Sequence, residues 1–217
     1  MGFDNRSEGK YFTILNTKNG AKFSQRVQEG TEGAVSRVNK LNKLVWEKYH
    51  DSFTAKLVDI KVTDGAYGKS WEFHFRDNGE IFKLQLGYSN GYATALLKML
   101  PNADLTKEMK LSPSSKEVDG KNKTSLFINQ DGVALKHAYT KDIPNGMPAW
   151  KKIVVKGVDT WDDTDVLIFL KNMVDTQILP KLASVKPVVS ATPEAKDALT
   201  GFVDEANAEA KTEEEPF

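Results

Sequence analysis

Apolar and polar residues alternate with a period of two through most of the first half of the chain, which is the spacing of half-buried strands. Lys10–Asn16 and Ala21–Val27 read as two strands, and Lys18-Asn19-Gly20 between them carries the Asn-Gly pair of a tight hairpin. Ser52–Thr63, Lys69–Arg76 and Glu80–Tyr88 continue the pattern, with turns at Asp64–Gly68 and Asp77-Asn78-Gly79. In Lys69–Arg76, Trp71, Phe73 and Phe75 fall on one face and Glu72, His74 and Arg76 on the other. Ala34–Tyr49 admits two readings. Val35, Val38, Leu41, Val45 and Tyr49 fit one helical face, but Ala34–Asn39 and Leu44–Tyr49 also read as a hairpin, which the β-branched and aromatic content favours.

The period becomes helical at Ser89–Leu100, where Tyr92, Leu96 and Met99 recur and Ser89 or Asn90 offers a cap before Pro101. Lys107–Leu111 and Thr124–Ile128 read as strands around a polar loop, Ser112–Lys123. Val133–Thr140 and Trp150–Val158 read as further strands. From Asp162-Asp163 to Leu182, the apolar positions Val166, Leu167, Leu170, Val174 and Ile178 predict a helix with acids at its N-terminal end. The expected organisation is a flexible start (residues 1–9), a mostly β domain over 10–183 with one inserted and one C-terminal helix, and a linker with a flexible acidic tail over 184–217. Within the tail, Thr192-Pro193-Glu194 offers a start for a short marginal helix. Short hairpins around one inserted helix suit an OB-fold-like Greek-key barrel or a sandwich, and the pattern alone does not choose between them.

Composition narrows the class. Of 217 residues, 40% are hydrophobic, too many for a wholly disordered chain. The longest purely apolar run is Val166–Leu170, far short of the roughly 20 residues of a spanning helix, so no membrane association is expected. The first residues lack the apolar core of a secretory signal, so the expected compartment is the cytoplasm, or the host cytoplasm for a phage-encoded chain. With no cysteine there are no disulfides, Cys-ligated metals or thiol nucleophiles, and no cofactor is expected. The net charge of zero conceals an asymmetry: Ser184–Phe217 holds eight acids and three bases, whereas Lys10–Lys156 carries a net charge of +9. A basic body joined to an acidic tail suits a polyanion partner for which the tail competes.

The sharpest motif is Glu213-Glu214-Glu215-Pro216-Phe217, three acids before a Pro-Phe at the free carboxylate. A terminal aromatic can fill an apolar pocket while a basic rim holds the acids. These five residues resemble the C-terminal tip of bacterial single-stranded DNA-binding proteins and of their phage counterparts. The all-Glu run and a linker that is neither Gly- nor Gln-rich point to a divergent phage or mobile-element type. The resemblance implies an OB-fold body that binds single-stranded DNA in replication, recombination or repair. It also implies a tip that recruits replication or repair enzymes, and it leaves room for a homo-oligomer.

The body supports the same reading from its own residues. Binding a single strand without regard to sequence needs cations for phosphates and aromatic faces for bases. Arg26, Arg37, Lys40, Lys43 and Lys48 cluster with Trp46 and Tyr49; Tyr67, Lys69 and Trp71 lie near Arg76; and Lys151 and Lys152 follow Trp150. Phe73 and Phe75 read as core. An enzyme reading is weaker. His50, His74 and His137 lack metal-ligand spacing, and Asp159, Asp162, Asp163 and Asp165 could hold magnesium in a small nuclease but also suit a helix start. The expected function is therefore non-enzymatic, sequence-independent single-stranded DNA binding and protection, with a metal-dependent nuclease or a phage structural or adaptor protein as alternatives.

Overall fold

The computed structural model describes residues 10–39, 41–65, 68–118, 121–155 and 157–185. Lys40, Tyr67, the N-terminal residues 1–9, and the tail with its predicted short helix and Glu213–Phe217 tip lie outside them.

The first hairpin forms as its Asn-Gly turn predicts, with β1 (Lys10–Thr17) antiparallel to β2 (Gly20–Val27). Gly20 has a φ of 97°, a left-handed conformation that a side chain would strain. The ambiguous segment is a hairpin, β3 (Val35–Val38) and β4 (Leu44–His50), closed by Asn39, whose Oδ1 accepts from the backbone N–H of Leu41 and Lys43. A long strand β5 (Phe53–Gly65), then β6 (Gly68–Asp77) and β7 (Glu80–Gly87), form the centre. Helix α1 (Gly91–Met99) is capped by Asn90, whose side chain accepts from the Tyr92 N–H. Gly91 allows the close approach of this helix to the next hairpin, since a Cβ there would lie 2.5 Å from the Thr124 hydroxyl oxygen.

The polar loop expected at Ser112–Lys123 is instead largely strand. β8 (Met109–Val118) and β9 (Lys121–Gln130) form one long hairpin. Its distal half has no apolar alternation because it runs past the core, and the cross-strand ladder rather than burial keeps it extended. Pro113 is tolerated because the pairing of β8 with β5 ends at Leu111, leaving no ladder on that edge that needs its N–H. The strand expected at Val133–Thr140 reduces to β10 (Val133–Ala134). Trp150–Val158 is not one strand but the first arm of a hairpin, β11 (Lys151–Val155) and β12 (Val158–Asp162), turning beside Gly157 with a φ of 79°. Helix α2 (Thr164–Met173) then runs through a π-helical turn, Val174–Ile178, into α3 (Leu179–Val185). All five apolar positions expected on this helical segment are buried.

Among the described residues ten strands form one open ladder, β10-β9-β8-β5-β6-β7-β1-β2-β4-β3, and β11–β12 is a separate ribbon. The chain is mostly β. All neighbours are antiparallel except β1 and β7, which run parallel. The ladder has a bend in β5: Phe53–Ala55 pairs with β8, Lys56 onward pairs with β6, and the register shifts between Leu57 and Asp59. One face of the central strands is core, with Phe23, Leu57, Trp71, Phe73, Phe75 and Leu84 essentially inaccessible. Leu96 and Leu97 of α1, Leu111 and Ile128 of the long hairpin, and Leu170 and Ile178 of the C-terminal helical segment complete it. The opposite face of the central strands is thus left for other roles. No helix among the described residues is long and apolar enough to cross a membrane.

Candidate nucleic-acid interface

Strand register decides which of the sequence-predicted residues share a face. On β4 the cluster divides. Trp46 lies opposite Val27 and Lys48 opposite Gln25, on the side that continues the core face, whereas Glu47 lies opposite Arg26 and Tyr49 opposite Ser24, on the outer side. Arg37 of β3 reaches the same outer side. It donates from Nε to Glu47 Oε2 at 2.6 Å and from Nη2 to Oε1 at 2.8 Å, a two-pronged pairing. The Tyr49 hydroxyl donates to the same carboxylate at 3.2 Å, and Arg26 Nε lies 4.0 Å away. Glu47 is only 2% exposed. Burial alone would raise its carboxyl, but the hydrogen bonds and charge of Arg37, with the Tyr49 hydroxyl, hold it below the ordinary carboxylate value. Arg37 is thereby committed to an internal pair, while Arg26 keeps its side chain 64% exposed.

The central strands extend this outer face. Lys56 lies opposite Arg76, Asp59 opposite His74, Lys61 opposite Glu72, and His74 opposite Lys83. Lys83 lies beside Tyr11 of β1 across the parallel pairing. The Lys83 Nζ sits 4.9 Å from the centre of the Tyr11 ring and donates to its hydroxyl at 3.0 Å. That hydrogen bond raises the Lys83 ammonium above its ordinary value, against the opposing effect of burial, with Glu72 adding charge. Tyr11 remains 48% exposed. Glu72 is buried, with His74 Nε2 at 2.5 Å and Lys83 at 3.6 Å. The outer face therefore carries Arg26, Lys56, Arg76 and Lys83 with Tyr11 and Tyr49, together with Lys61, whose Nζ lies 3.5 Å from the Asp59 carboxylate, and its acids Glu47 and Glu72 are buried.

Trp71 does not belong to this surface. Its ring is fully buried and stacks on Tyr88 at 5.1 Å, and its Nε1 donates to the Tyr88 carbonyl at 3.1 Å. A base cannot reach it, so the reading of Trp71 as a stacking residue is corrected to core. Lys43 is exposed in the β3–β4 turn and Lys69 is exposed at the start of β6, opposite Asp64. Trp150, Lys151 and Lys152 belong to the separate ribbon. There Lys151 pairs with Asp165 and Lys152 with Asp159, so their charge is balanced locally. Asp162 accepts from the N–H and hydroxyl of Thr164 at the start of α2. Among the described residues no three His, Asp or Glu are grouped to hold a metal ion.

Tyr11, Lys56, Lys61 and Lys83 were not marked by the sequence reading. The signal for Tyr11 lay in the alternation of β1: Phe12 and Ile14 point to the core, so Tyr11 and Thr13 must point away. No protein-family model matches the chain, and neither does any curated protein or any solved structure.

Proposed function

We propose that this is a non-enzymatic protein that binds single-stranded DNA with little regard to sequence, and that the outer face of β5-β6-β7-β1-β2-β4 is where the strand lies. One observation carries the reading. A row of cations on this face is interleaved with a half-exposed tyrosine whose hydroxyl is held by a lysine, which is the pairing of charge and π-face that a flexible polyanion with exposed bases requires. At about 4.8 Å per strand, six strands span roughly 24 Å, the length of a few nucleotides. The phosphates would meet Arg26, Lys56, Lys61 and Arg76, and bases would stack on Tyr11.

An OB-type barrel is the finer architecture that we infer. Three features support it. β5 changes partner across a bulge, β1 joins β7 in parallel, and Asn19–Lys22 of the first hairpin line the same cavity as Lys110 and Ser112–Ser115 of β8, so the two ends of the central ladder curl toward each other. In this proposal the acidic tip recruits replication or repair enzymes and competes with DNA for the basic face. A gel shift with labelled oligo-dT at low salt tests the reading: a retarded band that heparin and salt dissolve supports it, and no shift at micromolar protein overturns it.

A further inference from the structure

The long hairpin β8–β9 lies outside the face described above, yet its register gives it a surface of the same kind. Met109 and Leu111 of β8 are fully buried, so Lys110 between them points away from the core. Along that outward side Lys110 lies opposite Asn129, Ser112 opposite Phe127, Ser114 opposite Ser125, and Lys116 opposite Lys123. The inward side carries Leu126 and Ile128 into the core, and Thr124 against Gly91 of α1. The outward side is thus polar and basic apart from one ring, and that ring, Phe127, is 51% exposed.

Two features of this side do nothing for the folded chain alone. Lys116 and Lys123 stand directly opposite each other, where like charges repel across a ladder. Both are exposed, and the ion pairs formed among the described residues include neither of them, nor Lys110. On β8, Glu117 falls on the inward side, and Glu108 lies at the base of the hairpin beyond Lys110. The second feature is Phe127 itself. A lone exposed apolar residue is ordinary, but this one sits midway between the cations, flanked by serines and an asparagine too short to cover it. The outward side also continues the central face. Thr54 of β5 lies opposite Lys110, and Lys56, two residues on and so on the same side of the strand, lies opposite Arg76.

We propose that the bound single strand continues over the bend in β5 onto the outward side of β8–β9, where one base stacks on Phe127 and phosphates lie against Lys110 and the Lys116–Lys123 pair. The proposal rests on the single-strand reading and lengthens the path of the strand. Charge decides the occupant. Lys110 to Lys116 spans about 20 Å of strand, with cations at both ends, hydroxyls between them and one π-face. Phosphates relieve the repulsion between the opposed lysines, and a base offers the flat surface that a phenyl ring stacks against. An apolar segment of a protein partner would cover Phe127 but leave the two lysines opposed.

Fluorescence anisotropy on the full chain at low salt tests this, with labelled oligo-dT of about 6 and about 16 nucleotides, lengths within the range of site sizes for one small barrel. The short strand finds room on the central face, and the long one reaches the hairpin. Phe127→Ala should weaken the long oligonucleotide on the order of tenfold and leave the short one unchanged. Phe127→Tyr keeps the π-face and should stay close to wild type, whereas Phe127→Leu keeps apolar bulk without it and should resemble Phe127→Ala. Replacing Lys116 and Lys123 together by Ala should lower the log–log salt slope of the long oligonucleotide alone, by about one unit per lysine. Thermal melts of each variant establish that the protein under test is folded. If the long oligonucleotide binds every folded variant as tightly as wild type, the hairpin is outside the path, and binding to the central face still stands. If Phe127→Leu matches wild type while Phe127→Ala does not, the contact is apolar and the stacked base is overturned. Failure of wild type to bind either length overturns the single-strand reading and the hairpin path with it.

Discussion

The Lys83 ammonium donates to the Tyr11 hydroxyl at 3.0 Å, with Nζ 4.9 Å from the ring centre. The two residues are 72 positions apart and meet only because β1 runs parallel to β7. That hydrogen bond restrains the ring by its hydroxyl and leaves the residue 48% exposed, so in the proposed function a stacking surface is partly ordered before a base arrives. Pre-ordering of this kind lowers the entropy lost on binding.

Tyr11→Ala should therefore weaken oligo-dT binding by about 1–3 kcal/mol, the worth of one base–aromatic contact. Tyr11→Phe keeps the π-face and should stay close to wild type, even though the hydroxyl contact with Lys83 is lost. Anisotropy titrations of the two variants check this. Equal weakening in both would assign the effect to the hydroxyl rather than to stacking.

Salt should act strongly on the same surface. Neutralising six or so phosphates implies a loss of about 10³-fold in affinity between roughly 50 and 200 mM salt. Arg26→Ala or Arg76→Ala should each lower the slope of log affinity against log salt by about one unit, because each side chain is exposed on the outer face. Arg37→Ala should change the slope little, since its guanidinium is already matched by Glu47.

The same pair predicts an acid sensitivity. Glu47 is held below its ordinary value in the folded chain, so its contribution to stability is complete above the pH at which an unfolded glutamate titrates. That contribution is lost as pH falls through the lower folded value. Arg37→Ala leaves the carboxylate buried without its main partner and should cost about 2–3 kcal/mol at neutral pH, with Arg37 about one-third exposed. Urea melts at neutral and acidic pH check both. The gap between wild type and Arg37→Ala should narrow as Glu47 protonates, and a constant gap would dissociate the pair from the pH effect.

Much of the central sheet was legible because each strand has one face in the core, so that burial writes the alternation into the sequence. β1, β2 and β5–β7 all follow it, as does the helical spacing of α1 and of the segment from Val166 to Ile178. Where no face is buried, the code is silent. The polar distal half of β8–β9 is held by a backbone ladder that leaves no apolar trace, whereas the β11–β12 ribbon has apolar residues (Ile153, Val154, Val155, Val158 and Trp161) that stay exposed, so their run reads as one strand across the turn beside Gly157. The candidate surface suffered from the opposite problem. Basic and aromatic residues near one another in sequence suggested a cluster at Trp46–Tyr49, but successive residues of a strand face opposite ways. Glu47 and Tyr49 therefore joined the outer face while Trp46 and Lys48 did not. Trp71 was drawn into the candidate set by its neighbours, although its alternation with Phe73 and Phe75 already marked it as core. Tyr11 and Lys83 became a pair only through a parallel strand contact that no local pattern encodes.

The tip, Glu213–Phe217, carries two separable effects. Its three glutamates act over distance on a body whose Lys10–Lys156 segment bears a net charge of +9, so deleting the five residues should leave oligo-dT affinity equal or higher, most clearly at low salt where screening is weak. In the proposed function its terminal ring acts only by contact, as an apolar group for a partner's pocket. Phe217→Ala keeps every glutamate side chain. It should abolish recruitment of a partner enzyme while leaving DNA affinity nearly unchanged, whereas the deletion should abolish recruitment and alter the affinity. Pull-downs from host extract with the intact chain, the deletion and Phe217→Ala, set beside anisotropy titrations of the same three proteins, separate the two. If all three retrieve the same proteins, the terminal ring has no partner, and the motif on which the resemblance to single-stranded DNA-binding proteins rests has no recruiting role in this chain.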